Sequence, residues 1–246
     1  MCNKHNAIAI ALLLSLSLTV SAKNIVPVTQ TVSKHNDLLT GGLGMAGLRN
    51  PVAPPAGGPV SVEELRQRAL WANWRGIADL SQGGGYGDLY GKLDPVSGTQ
   101  YSALLKFKNN KQLHRVMVQI PDNFDSERRC LLVTASSGSR GIYGAIALAG
   151  PWGLSHGCAV AYTDKGAGSG FLVSNEKSFD INGLLNEGNR PSDFRYPSAV
   201  KSIAVKHAHS EDNPEADWGL HVKQSAEYGL AILNSHFPKA EKFTRK

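Results

Sequence analysis

The residues best suited to chemistry lie where an apolar run gives way to small polar residues. Leu131-Leu132-Val133-Thr134 leads into Ser136-Ser137-Gly138-Ser139-Arg140-Gly141. A serine lifted on a sharp strand-to-helix turn is the arrangement of G-x-S-x-G, whose hydroxyl becomes the nucleophile of acyl transfer. Ser137 stands where that motif has its first glycine, so the match is degenerate. The same Ser137, Gly138 and Ser139 suit a second role, which is favoured here. Small residues let a carbonyl oxygen approach backbone N–H groups that hold its developing charge, as an oxyanion or substrate loop. An ordinary glycine-rich turn is the third reading. If Ser139 is the nucleophile, His207 or His209 is the candidate base and Asp164 or Asp212 the candidate orienting group.

His207-Ala208-His209 with Glu211 and Asp212 also has the donor types of a metal site. No third ligand stands at a familiar spacing, so no metal is expected. Gly166-Ala167-Gly168-Ser169-Gly170 is G-x-G-x-G rather than G-x-G-x-x-G, and no helical pattern follows it to aim a dipole at phosphate. No nucleotide or other cofactor is expected. Cys130 and Cys158 each precede a predicted strand, which places both at one edge of a sheet and favours a disulfide in an exported protein.

Export is expected from the first residues. Lys4 and His5 precede an apolar run from Ala7 to Val20, followed by Ser21 and Ala22, the pattern of a secretory signal peptide over residues 1–22. The run is shorter than the ~20 apolar residues of a spanning helix. The mature chain is expected to start near Lys23, to be secreted (extracellular or periplasmic) and to have no membrane partner.

The elements that must position these residues follow from period and composition. Residues 23–60, with GGLGMAGLRNPVAPPAGGP from Gly41 to Pro59, read as an extended lead-in without helix or strand. Ser61 and Glu64 fit a capping box, and Val62, Leu65, Ala69, Leu70, Trp74 and Ile77 make the apolar face of a helix. Leu105 and Phe107 alternate with Lys106 and Lys108, Asn109-Asn110 reads as a turn, and Val116, Val118 and Ile120 alternate on the return, predicting a β-hairpin. Its Lys106, Lys108, Lys111 and Arg115 read as a solvated face. Leu131–Thr134, a small-residue helix from Ile142 to about Leu154 that Pro151 should kink or end, and Ala159–Tyr162 predict a βαβ unit. Residues Gly166 to Tyr196 read as a long surface excursion. A last helix is predicted with Asn213 as cap, Pro214 at its first position, and Trp218, Val222, Ala226, Leu230 and Leu233 as its buried stripe.

Composition excludes other classes. Of 246 residues 41% are hydrophobic and 19% charged, too apolar for a disordered chain. Three cysteines are too few for a disulfide scaffold. The net charge of +6 is scattered rather than blocked, which favours solubility over a nucleic-acid partner.

Three segments together resemble the D-(−)-3-hydroxybutyrate oligomer hydrolase family, exported bacterial esterases of poly(3-hydroxybutyrate) breakdown. They are Asp37-Leu38-Leu39-Thr40 with Gly41-Gly42-Leu43-Gly44, the stretch from Ser136 to Gly168, and Lys206 to Gly219. The resemblance implies an α/β-hydrolase-like fold: a partial, mostly parallel sheet with an N-terminal β-hairpin and flanking helices, over residues 61–246. It also implies cleavage of short hydroxybutyrate oligomers to monomers. The family's proposed catalytic serine lies in a later S-x-S-x-G motif, beyond the helix that ends here near Leu233, with its acid and histidine later still. Ser235 is followed by His236-Phe237, so no triad residue carries over. The chain is therefore expected to be an N-terminal part whose nucleophile lies beyond Lys246. Ser137, Gly138 and Ser139 match the family's turn, and their oxyanion role is inferred from position. Two rivals stand beside this: a small complete esterase using Ser139, and a non-catalytic secreted module that binds polyester or oligomer through its long loop.

Overall fold

The computed structural model describes residues 25–54, 60–86, 89–90, 92–107, 110–173, 177–180, 182–186, 190–195 and 202–244. The expected signal peptide, residues 1–22, lies outside them, as do Lys108 and Asn109 of the hairpin turn. Five strands form the main sheet: β1 (Thr29–His35), β2 (Gly98–Lys106), β3 (Leu113–Pro121), β4 (Leu131–Ala135) and β5 (Ala159–Thr163), in the order β1-β2-β3-β5-β4. The predicted hairpin is β2 and β3, antiparallel with Tyr101 opposite Val118 and Ala103 opposite Val116. The predicted βαβ unit is β4, a 3₁₀ turn (Ile142–Ala145), a helix and β5, paired parallel with Leu132 opposite Val160.

The expected mostly parallel, α/β-hydrolase-like sheet is not found. The pairs β1–β2, β2–β3 and β3–β5 are antiparallel, and β4–β5 alone is parallel in this sheet. A parallel pair needs a long crossover, and among the described residues the chain makes one, through the helix between β4 and β5. The alternating strands beside it are joined by a turn or return antiparallel.

The lead-in is also more ordered than its glycine content suggests. It holds β1 and the helix α1 (Gly44–Arg49). Asp37 is the reason: its carboxylate accepts the N–H groups of Leu39, Thr40 and Gly42 at 2.9, 3.1 and 3.0 Å, and Thr40 Oγ1 accepts that of Gly44 at 2.8 Å. These bonds satisfy a glycine turn while Leu38, Leu39 and Leu48 enter the core. Helix α2 (Val62–Ile77) starts at Ser61 with both bonds of the capping box present. Its inner face is Leu70 and Trp74, with buried Arg66 and Asn73 beside them.

Helix α3 (Ile146–Ser155) passes through Pro151 without ending there. Proline has no N–H for the carbonyl four residues back, which is Ala147. The Tyr86 hydroxyl donates to that carbonyl instead, so the lost bond is replaced from another part of the chain. Helices α1, α2 and α3 cover one face of the sheet around Leu70, Trp74, Met117, Leu154, Val160 and Tyr162. On the other face Val116, Val118 and Ala161 meet a C-terminal helix through Tyr228, Ile232 and Leu233. Cys130 and Cys158, at the starts of β4 and β5, form a disulfide with Cα atoms 4.7 Å apart.

The excursion after β5 is not structureless. It contributes β6 (Phe171–Val173), β7 (Lys177–Phe179) and β8 (Leu185–Asn186), which join β9 (Ala204–Val205) in an antiparallel sheet ordered β8-β7-β6-β9. Strands of two or three residues are too short to show a period. Arg115, read as solvated, instead makes a two-pronged bond to Asp193 at 2.9 and 2.7 Å and ties this excursion to β3. The short helix α4 (Lys206–His209) follows, then α5 (Trp218–His236).

The α5 stripe differs from the predicted one. His221, Ser225, Tyr228, Gly229, Ile232 and Leu233 are buried, whereas Trp218 is 50% exposed with the Lys165 ammonium over its ring. A buried histidine and serine hid this face from a hydrophobicity pattern; Ser225 Oγ donates to the Tyr162 carbonyl at 3.0 Å. Asn213 accepts from Ala216 N and caps the turn before the helix, which starts four residues later than expected. Among the described residues no helix is long and apolar enough to cross a membrane. In urea titrations Trp74→Ala is expected to cost about 3–5 kcal/mol and Trp218→Ala about 1 kcal/mol or less. Equal losses for the two would overturn this assignment of faces.

Candidate active site

The Ser137–Ser139 turn leaves β4 at its C-terminal end. Ser136 is buried and its N–H donates to Thr163 O at 2.9 Å, which anchors the turn to β5. Arg140 N donates to Ser137 O at 3.4 Å, and Gly138 takes φ +53°, a left-handed conformation that costs other residues about 1 kcal/mol or more. Among the described residues, the N–H groups of Gly138 and Ser139 donate to no protein acceptor. They are free to meet an oxygen.

Helix α4 faces this turn. Lys206 at its start is fully buried, with Nζ donating to Leu113 O at 2.6 Å and to Asp164 Oδ2 at 3.2 Å. Asp164 is buried too and accepts Gly166 N at 2.9 Å through its other oxygen. With Lys206 pinned inward, the next residue, His207, projects outward. The Ser139 hydroxyl is hydrogen-bonded to His207 Nδ1, and His207 Nε2 lies 2.8 Å from Glu215 Oε1. The hydrogen bond from His207 and a backbone N–H hold the Glu215 carboxyl below its ordinary pKa, so it is ionised and can only accept. The proton of neutral His207 is therefore on Nε2, and Nδ1 accepts from Ser139. The result is a directional chain, Ser139 to His207 to Glu215.

Glu215 is the member that sequence reasoning missed. It stands eight positions from His207, and only the turn held by Asn213 brings it back to the imidazole. The groups named in its place are engaged elsewhere. Asp164 pairs with Lys206, and Asp212 accepts the N–H groups of Lys111 and Gln112 at 2.6 and 2.9 Å. His209 turns back onto the Val205 backbone. His207 and His209 thus point apart, and among the described residues no three His, Cys, Asp or Glu side chains converge as metal ligands.

Ser139 and His207 open onto a cleft of about 520 Å³ whose far wall is Gly168, Ser169 and Gly170. The wall is glycine for a steric reason: a Cβ on Gly168 would sit 2.9 Å from both Asp164 Oδ2 and Lys206 Cδ. The G-x-G-x-G stretch is thus a lining packed against the buried ion pair.

Behind that pair lie two buried histidines, His114 and His221, with ring centroids 4.5 Å apart and Phe107 against both. Among the described residues both nitrogens of His221 and Nε2 of His114 have no hydrogen-bond partner. Burial, aided by the Lys206 cation, holds both neutral; His221 is lowered to about 4 although Asp164 pulls the other way, and His114 lies well below the usual imidazole range.

A hydroxyl, imidazole and carboxylate in sequence, beside free backbone N–H groups, form the donor set of an acyl-transfer hydrolase. The comparisons agree at the level of family. The chain matches the 3HB-oligomer hydrolase family over residues 17–246 and belongs to it. It is 37% identical over 253 residues to a D-(−)-3-hydroxybutyrate oligomer hydrolase of Burkholderia vietnamiensis, covering 89% of this chain and 36% of that protein. A protein of the same name from Paracidovorax citrulli is 40% identical over 233 residues, covering 82% and 32%, and one from Cupriavidus necator is 36% identical over 244 residues, covering 85% and 33%. The chain spans about a third of the length of these relatives. No solved structure matches it.

The histidine pair predicts acid sensitivity. An unfolded imidazole binds a proton as pH falls below about 6.5, while folded His221 resists until about 4, so stability is lost across that window. At pH 5 the loss from His221 is about 2 kcal/mol. The stability of the protein relative to His221→Leu, read from urea titrations, should therefore fall by about 2 kcal/mol between pH 7 and pH 5. An unchanged gap would refute the neutral buried histidine.

Proposed function

We propose that the protein hydrolyses ester bonds of D-(−)-3-hydroxybutyrate oligomers to release monomers, as an exported esterase acting downstream of polyester depolymerisation. The observation that carries this is the Ser139–His207–Glu215 chain at the mouth of a cleft, in a member of the 3HB-oligomer hydrolase family. Ser139 Oγ attacks the ester carbonyl as His207 Nδ1 takes its proton, and Glu215 stabilises the imidazolium. The imidazolium returns the proton to the leaving hydroxyl of the shortened oligomer. Water, activated by the same histidine, then releases the acyl group from Ser139. The N–H groups of Gly138 and Ser139 are the nearest donors for the oxyanion. Export is supported by the Lys4–Ala22 pattern and by the Cys130–Cys158 disulfide, which suits an oxidising compartment.

A second reading rests on the left-handed Gly138 and its free N–H. In it the Ser137–Ser139 loop serves as oxyanion or substrate loop for a nucleophile outside residues 1–246, as the family's later S-x-S-x-G motif implies. It predicts no turnover by residues 1–246 alone, and turnover by a longer chain carrying that motif that survives loss of the Ser139 hydroxyl.

Monomer release from a hydroxybutyrate trimer is expected to fall by ~10³-fold or more in Ser139→Ala and in His207→Ala, with fluorophosphonate labelling confined to Ser139. No turnover by residues 1–246, with turnover of a longer chain unchanged in Ser139→Ala, would remove it as nucleophile and leave the oxyanion role. N-terminal sequencing of the exported protein should begin at Lys23. An intact Met1 on the exported protein would defeat the signal-peptide reading.

A further inference from the structure

A larger cleft, of about 960 Å³, lies along the C-terminal half of α3 and shares no lining residue with the Ser139 cleft. Its floor is Leu39, Ile77, Val96, Ala147 and Pro151, and Tyr86 forms a side wall. That wall is rigid. The Tyr86 hydroxyl is bonded to the Ala147 carbonyl freed by Pro151, and its ring packs edge-on against buried Trp74 at 5.3 Å. On a helix otherwise largely buried, Leu148 and Trp152 are 61% and 51% exposed, one turn apart, and both line this cleft. Trp152 is held flat by stacking on His156, with centroids 4.6 Å apart. Among the described residues its indole N–H donates to no acceptor, and Lys92 on the rim has no ion-pair partner.

Large apolar side chains held open in a concave site of this size indicate a small-molecule ligand rather than a flat partner. The chemistry narrows the class. A short linear oligoester offers methyl-bearing methines to Leu148 and the aromatic faces. It offers ester carbonyls to the unused indole N–H of Trp152, and a terminal carboxylate to Lys92. Asp79, Tyr90, Asp94, Ser155 and His156 also line the cleft, and the hydroxyl end of such an oligomer can donate to either carboxylate.

We propose that this cleft is a second binding site for 3-hydroxybutyrate oligomers, with the chain laid along Leu148 and Trp152 and its carboxylate at Lys92. The inference rests on the reading that the protein handles such oligomers, and it adds a site that holds them away from the Ser139 cleft.

The test uses the Ser139→Ala full chain, so that ligand is not consumed, and titrates it calorimetrically with hydroxybutyrate trimer. Two sites are expected. Adding Trp152→Ala or Leu148→Ser should weaken one of them at least tenfold and leave the other unchanged. Lys92→Met should weaken the free acid at that site and leave the trimer methyl ester unaffected. Both helix positions are exposed, and circular dichroism melts verify that the variants fold. A single site insensitive to all three substitutions, or no binding, would overturn the proposal. Self-association that Trp152→Ala abolishes, without trimer binding at the cleft, would assign the cleft to a second copy and equally overturn it. Hydrolysis by the unsubstituted protein is read separately. Trp152-dependent binding without turnover refutes the proposed function alone, and turnover without Trp152-dependent binding refutes this inference alone.

Discussion

The buried pair of Lys206 and Asp164 is the contact on which the candidate site depends. Neither charge reaches water, so each must be met by the other and by fixed dipoles, here the Leu113 carbonyl and the Gly166 N–H. These partners come from β3, from the end of β5 and from the glycine-rich stretch after it. One ammonium thus joins the main sheet, the loop wall and α4. The desolvation cost makes the arrangement stringent: removing one partner of such a pair costs about 3–5 kcal/mol because the other charge is left uncompensated. Gly168 has no side chain because the pair occupies that space.

From that constraint the outward geometry follows. A helix of four residues has little intrinsic stability, and α4 holds its shape because its first residue is pinned inward. His207 then faces the turn after β4, and the Asn213-capped turn returns Glu215 to its far nitrogen. Three side chains from three short irregular segments meet because each segment is tied to the sheet or to a neighbouring turn. The same economy operates on α3. The carbonyl that Pro151 leaves free becomes the anchor of Tyr86, so a helix defect builds the rigid wall of the larger cleft.

The mixed sheet belongs with this picture. Among the described residues only β4 and β5 are connected by a helical crossover, and their shared C-terminal end carries both Ser139 and Asp164. The antiparallel strands β1 to β3 supply breadth and two faces for burial, with Met117 and Tyr162 toward α2 and α3 and Val116, Val118 and Ala161 toward α5. The family relationship extends over nearly all of this segment, so these features sit within a third of the length of its relatives.

Much of this was legible in the residues themselves. The capping box at Ser61 and Glu64, the β2–β3 hairpin and the βαβ unit are local or periodic features, and each is found where its pattern lies. The Ser137–Ser139 turn and His207 were also visible as chemistry-bearing types. The sequence could not show which carboxylate meets His207, that Lys206 and Asp164 spend their charges on each other, or that the buried face of α5 runs through His221 and Ser225. It also could not show that most strand pairs are antiparallel. Capping and periodicity act over a few residues and leave a mark in the sequence. Pairing of charges, direction of strands and burial of polar side chains are decided by groups tens of residues apart, and exist only once the chain has packed.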